Sequence, residues 1–145
     1  MLELLMMSAV RRVHEPGCRL DHGGKLITFI GPNAAEFIET LAPRPEWHAL
    51  ISPRLRGRRM AEQLRDIWFA EVQDLEAVTR ELIARTHDAG IARQCVLVGT
   101  AREMPTRRLG VLNCIQLGNA NLDALRRDRD QLWAEIGHRH PQPTH

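Results

Sequence analysis

The sequence predicts a single α/β domain built on a mainly parallel sheet with helices on both faces. Three observations carry that prediction. The chain has 145 residues, the size of one domain, and is long enough to bury a core without disulfides or metals. Four segments are apolar throughout instead of alternating, as strands covered on both faces are. Those segments alternate with stretches of helical periodicity, and no internal repeat interrupts the pattern.

The elements follow in order. Leu2, Leu5, Met6, Ala9, Val10 and Val13 share one helical stripe, which predicts a helix over 2–13. EPGCRLDHGG (15–24) is rich in turn formers and ends it. KLITFIG (25–31) reads as a buried strand closed by glycine. AAEFIETLA (34–42) has Phe37, Ile38 and Leu41 at helical spacing and stops before Pro43. Residues 43–59 are rich in proline and arginine, with a short apolar patch around Ala49–Ile51, and RLRGRR (54–59) reads as a loop.

RMAEQLRDI (59–67) predicts a helix and IWFAEV (67–72) a strand. LEAVTRELIARTHDAG (75–90) predicts one amphipathic helix with Gly90 as its C-cap. QCVLVGT (94–100) is a strand followed by an arginine-rich loop, and GVLNCIQLG (110–118) is the fourth strand. NLDALRRDRDQLWAEIGHR (121–139) is the clearest helix. Asn121 is its N-cap, and Leu122, Leu125, Leu132, Trp133 and Ile136 form its inner face. One domain therefore spans 1–139, with 140–145 expected as a disordered tail.

Composition narrows the function classes. Apolar residues make up 43% and charged residues 26%, ordinary values for a globular protein. No run approaches the roughly 18 apolar residues of a membrane helix. The N-terminus is apolar and then basic, the reverse of a signal peptide, so a cytoplasmic protein is expected. Three Phe, three Trp and no Tyr argue against a base-stacking surface, and a net charge of +2 does not by itself imply nucleic acid. Cys18, Cys95 and Cys114 form no CxxC pair, against a disulfide framework or zinc ribbon. Cys95 and Cys114 sit in apolar runs and are expected to be buried, inert thiols. Of the 20 Lys and Arg residues, only Lys25 is a lysine.

In such a fold the first strand-to-helix turn is where phosphate binds, on backbone N–H groups at a helix N-terminus. Here that turn is GPNAAEFI (31–38). A phosphate loop needs GxxxxGK[ST]: glycines to wrap the phosphates, lysine to neutralise them and a hydroxyl for Mg²⁺. Gly31 fits the first position, but Glu36 replaces the second glycine, Phe37 the lysine and Ile38 the hydroxyl residue. Pro32 and Asn33 complete an ordinary βα turn on this reading. Lys25 stands at the wrong end of its strand to substitute, roughly 20 Å of extended chain away.

Beyond that turn, RRVHEPGCRLDH (11–22), KLITFIGPN, RMAEQLRDIWFAEVQDLEAVTR (59–80), RQCVLVGT (93–100), PTRR (105–108) and NLDALRRDRDQLWAE (121–135) occur in this order. Together they resemble the virulence-associated protein E family, P-loop ATPase domains of phage and prophage primase–helicase-like proteins. The resemblance runs from about residue 8 to residue 139. It implies a three-layer P-loop-NTPase-like fold and locates what has changed. The family's GPQGxGKST stands here as GPNAAEFIE, which keeps Gly31 and Pro32 and loses the Lys–Ser pair. The family's Walker B acids correspond to Glu71 and Asp74. Ala101 and Arg102 occupy the places of its Thr–Asn sensor. Its paired arginines, which reach a neighbouring subunit's nucleotide, correspond to Arg107 and Arg108, without the Gly–Asn that precedes them. HDAGIA (87–92) is a short replacement for a longer basic loop.

Losing one catalytic electrostatic contact commonly costs about 10²–10³ in rate. With lysine and hydroxyl both absent and Glu36 repelling phosphate, the chain is expected to be no enzyme and to use no cofactor. Other clusters have plainer readings. RLRGRR offers Arg54, Arg56, Arg58 and Arg59 as contacts for nucleic acid or a partner, or simply as a solvated loop balanced by nearby acids. His138 and His140 are close in sequence but lie at a helix end, so no metal site is expected. RRDRDQ (126–131) reads as an exposed face of i,i+4 pairs. The resulting expectation is an inactive ATPase-like domain of phage or mobile-element origin that serves as a protein-interaction module, an inhibitor or decoy of a host or competitor protein. The alternative is a nucleic-acid-binding accessory protein using the arginine loop. A pseudogene product without selected function, and an active ATPase ring, are the remaining readings.

Overall fold

The computed structural model of the chain describes residues 2–18, 24–88, 94–107 and 110–139. Its elements are α1 (Leu2–His14), β1 (Leu26–Ile30), α2 (Ala34–Leu41), a 3₁₀ turn (Pro45–Trp47), β2 (His48–Leu50), α3 (Gly57–Gln63) and β3 (Phe69–Val72). A second 3₁₀ turn (Leu75–Ala77), α4 (Arg80–Arg85), β4 (Val96–Ala101), β5 (Leu112–Gln116) and α5 (Leu122–Arg139) follow. The five strands form one sheet in the order β2-β3-β4-β1-β5, and every pairing is parallel.

Two apolar layers sandwich the sheet. One joins Ile27, Phe29, Phe69, Val96 and Val98 to α1, α2 and α5. The other joins Leu26, Ala70, Val72, Cys95 and Leu97 to Met60 and Leu64 around α3 and to Leu82 of α4. The fold is thus α/β in three layers, consistent with a P-loop-like arrangement. The two buried strand faces explain why β1 and β4 are almost wholly apolar and why β3 is apolar but for the buried Glu71.

All three tryptophans meet in one stack on the first layer. Trp68 stacks on Trp133 at 4.7 Å and meets Trp47 edge-on at 5.8 Å. The Trp68 indole N–H donates to Ala9 O at 2.6 Å and that of Trp133 to Leu41 O at 2.9 Å, so each buried polar handle is satisfied. Arg12 is wholly buried. Its guanidinium donates to Cys18 O and Cys95 O, both at 2.8 Å, tying the end of α1 to the start of β4.

Three expectations need correcting. The helix expected over 75–90 is a 3₁₀ turn and the short α4. Val78 is extended at φ −70°, ψ 134°, and the Thr79 hydroxyl caps a new helix by accepting from Leu82 N at 3.2 Å. Leu75, Val78 and Leu82 are all buried, so the apolar spacing was real. The β-branched pair at 78–79, however, prefers extended backbone and a cap to a continuous helix. The Gly90 cap lies outside the described residues, as do most of HDAGIA and the tail 140–145. The helix read over 59–67 begins earlier, at Gly57, and ends at Gln63, because Leu64, Arg65 and Asp66 turn the chain into β3.

The proline- and arginine-rich segment 43–59, to which no element is assigned from sequence, contains β2 (His48–Leu50). The apolar patch over Ala49–Ile51 is too short to signal a strand by itself. Pairing with β3 creates the strand, with His48 opposite Phe69 and Leu50 opposite Glu71. The helix at 121–139 is as read: Asn121 Oδ1 accepts from Ala124 N at 3.0 Å, and Leu125 and Ile136 are buried. Cys95 is buried, and desolvation pushes its thiol up to about 12 despite the nearby Arg12 charge. Cys114 is only half-buried, because β5 is an edge strand.

Candidate functional site

The carboxyl ends of the strands form the crevice where open α/β sheets bind ligands. A cleft of about 360 Å³ lies there, lined by Gly31, Pro32, Ala34, Ala35, Glu36, Gln73, Thr100, Ala101 and Arg102. The turn between β1 and α2 is three residues long, since α2 already begins at Ala34. A phosphate loop holds its helix back until the lysine, which would be Phe37 here. The positions that would wrap phosphate are instead wound into helix.

Each residue of the turn has a structural task. A Cβ on Gly31 would stand 2.6 Å from Gly118 O, so only glycine lets the β1 and β5 exits approach this closely. Gly118 itself takes φ +68°, a conformation few other residues adopt. The Asn33 side chain does not cap α2. It clamps Ala120, donating to its carbonyl at 2.8 Å and accepting from its N–H at 3.1 Å. Phe37 is buried against Phe29 with ring centroids 5.8 Å apart, and Ile38 is fully buried. Glu36 is exposed at the cleft. These residues do not fit a Mg²⁺–nucleotide: two apolar side chains have turned inward and a carboxylate has turned outward.

Glu71 lies under this cleft, its side chain only 2% exposed. Its Oε1 is 2.7 Å from His48 Nε2, and its Oε2 accepts from Thr100 Oγ1 at 2.5 Å and Gln73 Nε2 at 2.9 Å. The geometry follows from the pleat: His48, Glu71 and Thr100 stand on one sheet face at diagonal register positions of adjacent strands. Burial alone would raise the Glu71 pKa. The hydrogen bonds from His48, Thr100 and Gln73, with the His48 charge, outweigh it and hold the carboxyl below its ordinary value. Glu71 is therefore an ionised carboxylate whose oxygens are engaged, and it pins the edge strand β2 to the sheet.

Asp74 is not beside it. It lines a second, polar cleft of about 630 Å³ with Arg54, Arg56, Glu76, Thr79, Glu81 and Arg85. The two acids matched to Walker B are thus parted, Glu71 buried in the sheet and Asp74 at the second cleft. In this second cleft Arg54 and Arg56 of the arginine loop stand among Asp74, Glu76 and Glu81. Arg85 donates to Leu55 O at 3.0 Å and pairs with Glu81 at 3.6 Å; away from the cleft, Arg58 pairs with Glu62 at 3.3 Å on α3. Arg59 is exposed on α3.

Arg107 is exposed and does not line the nucleotide-side cleft, whereas Arg102 does; Arg108 lies outside the described residues. His138 is exposed near the end of α5, and His140 lies outside the described residues. Among the described residues no group of three or more His, Cys, Asp or Glu could hold a metal, and no helix is long and apolar enough to cross a membrane.

Sequence reading missed His48, Gln73 and Thr100 as partners of Glu71. A lone histidine in a proline- and arginine-rich stretch gives no signal, and only sheet order brings these residues together.

Comparison with curated proteins gives no match. The family model for the virulence-associated protein E-like domain matches residues 1–89. That span takes in β1 with its altered loop, Glu71 and Asp74, and the chain belongs to the virulence-associated protein E-like domain family.

Proposed function

We propose that this chain is an ATPase-like domain of phage or mobile-element descent that does not hydrolyse nucleotide and acts by binding another protein, as an inhibitor or decoy. The observation that carries the reading is the inward turn of Phe37 and Ile38, at the positions where phosphoryl transfer needs a lysine and a metal-binding hydroxyl. Glu36 adds a negative charge on the cleft side. The Glu71 carboxylate, which a Walker B strand would present to Mg²⁺, is engaged by His48, Thr100 and Gln73.

Protein binding is favoured over nucleic acid by the charge arrangement. Arg54 and Arg56 share a cleft with Asp74, Glu76 and Glu81. A mixed-sign surface suits a protein partner, whereas phosphate backbones select unbroken positive charge.

Two measurements test the proposal. Titration of Mg–ATP by calorimetry is expected to give no binding heat, and micromolar binding would overturn the inactive-site reading. Affinity capture from host lysate, followed by reconstitution with the purified captured protein, is expected to give a salt-tolerant complex. Retention only of nucleic acid, lost at moderate salt, would overturn the protein-binding reading in favour of the arginine loop.

A further inference from the structure

We infer that a tryptophan-walled cleft at the amino ends of β3 and β4 is a binding site for a small aromatic anion, a flat ring system carrying one acidic group. The inference does not depend on the partner-binding reading above. The cleft lies at the opposite end of the strands from the one beside Gly31. Its volume is about 430 Å³, within the roughly 300–1,000 Å³ of small-molecule sites, which are mostly apolar with a few placed polar groups.

The apolar walls come from three segments. Val10 and Val13 line the cleft from α1. The helical stripe they belong to runs on past the core, and Val13, at 49%, is the one member of it left exposed. Trp47 and Trp68 stand immediately before β2 and β3 and line the cleft together. Their rings meet edge-on, 78° apart in plane. Two aromatic walls at this angle suit a flat ring, which stacks on one and meets the other edge to face.

These walls are fixed without a ligand. Trp68 is held by its hydrogen bond to Ala9 O and its stack on Trp133. The Gln94 amide, also lining the cleft, donates to Leu64 O at 3.2 Å, Arg65 O at 3.0 Å and Ile67 O at 2.7 Å. It thereby pins the turn that carries Arg65 and Asp66 to the cleft. A preformed site loses little to ordering when it binds.

The polar groups select an anion. Asp66 is the only carboxylate lining the cleft, against Arg65, His14 and the Trp47 indole N–H. Among the described residues no side chain pairs with Arg65 or His14. Nor does the Trp47 N–H find an acceptor there, whereas those of Trp68 and Trp133 do. Arg12, buried on α1, has no carboxylate partner among the described residues, and its guanidinium sits on Cys95 O, next in the chain to Gln94. Apolar walls strengthen the field of such charges within a cleft.

The test uses the whole chain and two probes with one ring system, anilinonaphthalene sulfonate and its neutral analogue phenylnaphthylamine. Saturable binding of the sulfonate at a single site is expected, read by quenching of tryptophan emission, with the neutral probe about tenfold weaker. Val13→Glu sets a carboxylate at an exposed wall position and should abolish sulfonate binding with an unchanged circular-dichroism spectrum. Arg65→Glu should weaken the sulfonate about tenfold and leave the neutral probe unchanged. In a proton–nitrogen correlation spectrum of the unaltered chain, the sulfonate should move the Trp47 indole signal and leave that of Trp133, committed to Leu41 O, in place. Absence of saturable binding overturns the proposal, as does sulfonate binding that survives Val13→Glu. A neutral probe that binds as tightly overturns the choice of an anion. Should either variant fold poorly, the spectrum decides: a Trp47 signal that stays in place overturns the site.

Discussion

Replacing Glu71 by glutamine tests the polar network under the cleft. The carboxylate accepts from Thr100 and Gln73 and pairs with His48, with its side chain 2% exposed. Glutamine has the same shape but no charge; its oxygen can still accept from Thr100 and Gln73, and its amide can donate to His48 Nε2 only in the histidine's other tautomer. Hydrogen bonds to a charged group contribute more than those to a neutral one, so losing the charge across the three contacts should cost about 1–3 kcal/mol. Glu71→Ala, which leaves the buried Thr100 and the largely buried His48 without their acceptor, should cost about 3–5 kcal/mol, as breaking a buried charge pair does. With a urea slope of about 2 kcal/mol per molar, Glu71→Gln should lower the unfolding midpoint by roughly 0.5–1.5 M. The stacked tryptophans report it by fluorescence.

The pH dependence has a definite sign. The native Glu71 pKa lies below its ordinary value of 4.5, so the native state binds this proton less readily than the unfolded chain. The stabilisation is fully present above about pH 4.5 and is lost as pH falls through the lower native value. The difference between wild type and Glu71→Gln should therefore be full at pH 7 and shrink below pH 4.5. Coincident midpoints at pH 7 would refute the reasoning.

Three further outcomes follow from the site and the core. Gly31→Ala places a Cβ 2.6 Å from a backbone oxygen of Gly118 and should cost about 1–3 kcal/mol; an unchanged thermal midpoint would show that the two turns can move apart. Phe37→Lys should not create a phosphate site but bury an ammonium beside Phe29, at a cost of several kcal/mol. Loss of cooperative melting is expected, and a well-folded variant that binds Mg–ATP would contradict the placement. Cys95, with its thiol pushed up to about 12, should resist a thiol reagent at pH 8 until urea unfolds the chain, as protected-thiol counting would show.

The sequence by itself determined the fold class, most of the elements and the loss of the phosphate motif. Unbroken apolar strands and helical spacing are local signals, and GPNAAEFI differs from a phosphate loop in residue type alone. Asn121 was legible as a cap for the same reason, since its partner Ala124 lies three residues away.

Tertiary structure decided the rest because the deciding partners are distant in sequence. β2 exists only through β3. Glu71 finds His48, Thr100 and Gln73 only once strands order as β2-β3-β4-β1-β5. Asp74 parts from Glu71 because the chain leaves β3 toward α4. That β5 ends the sheet became visible only from the strand order. Periodicity records which side chains turn inward, but it carries no information on which strand lies beside which.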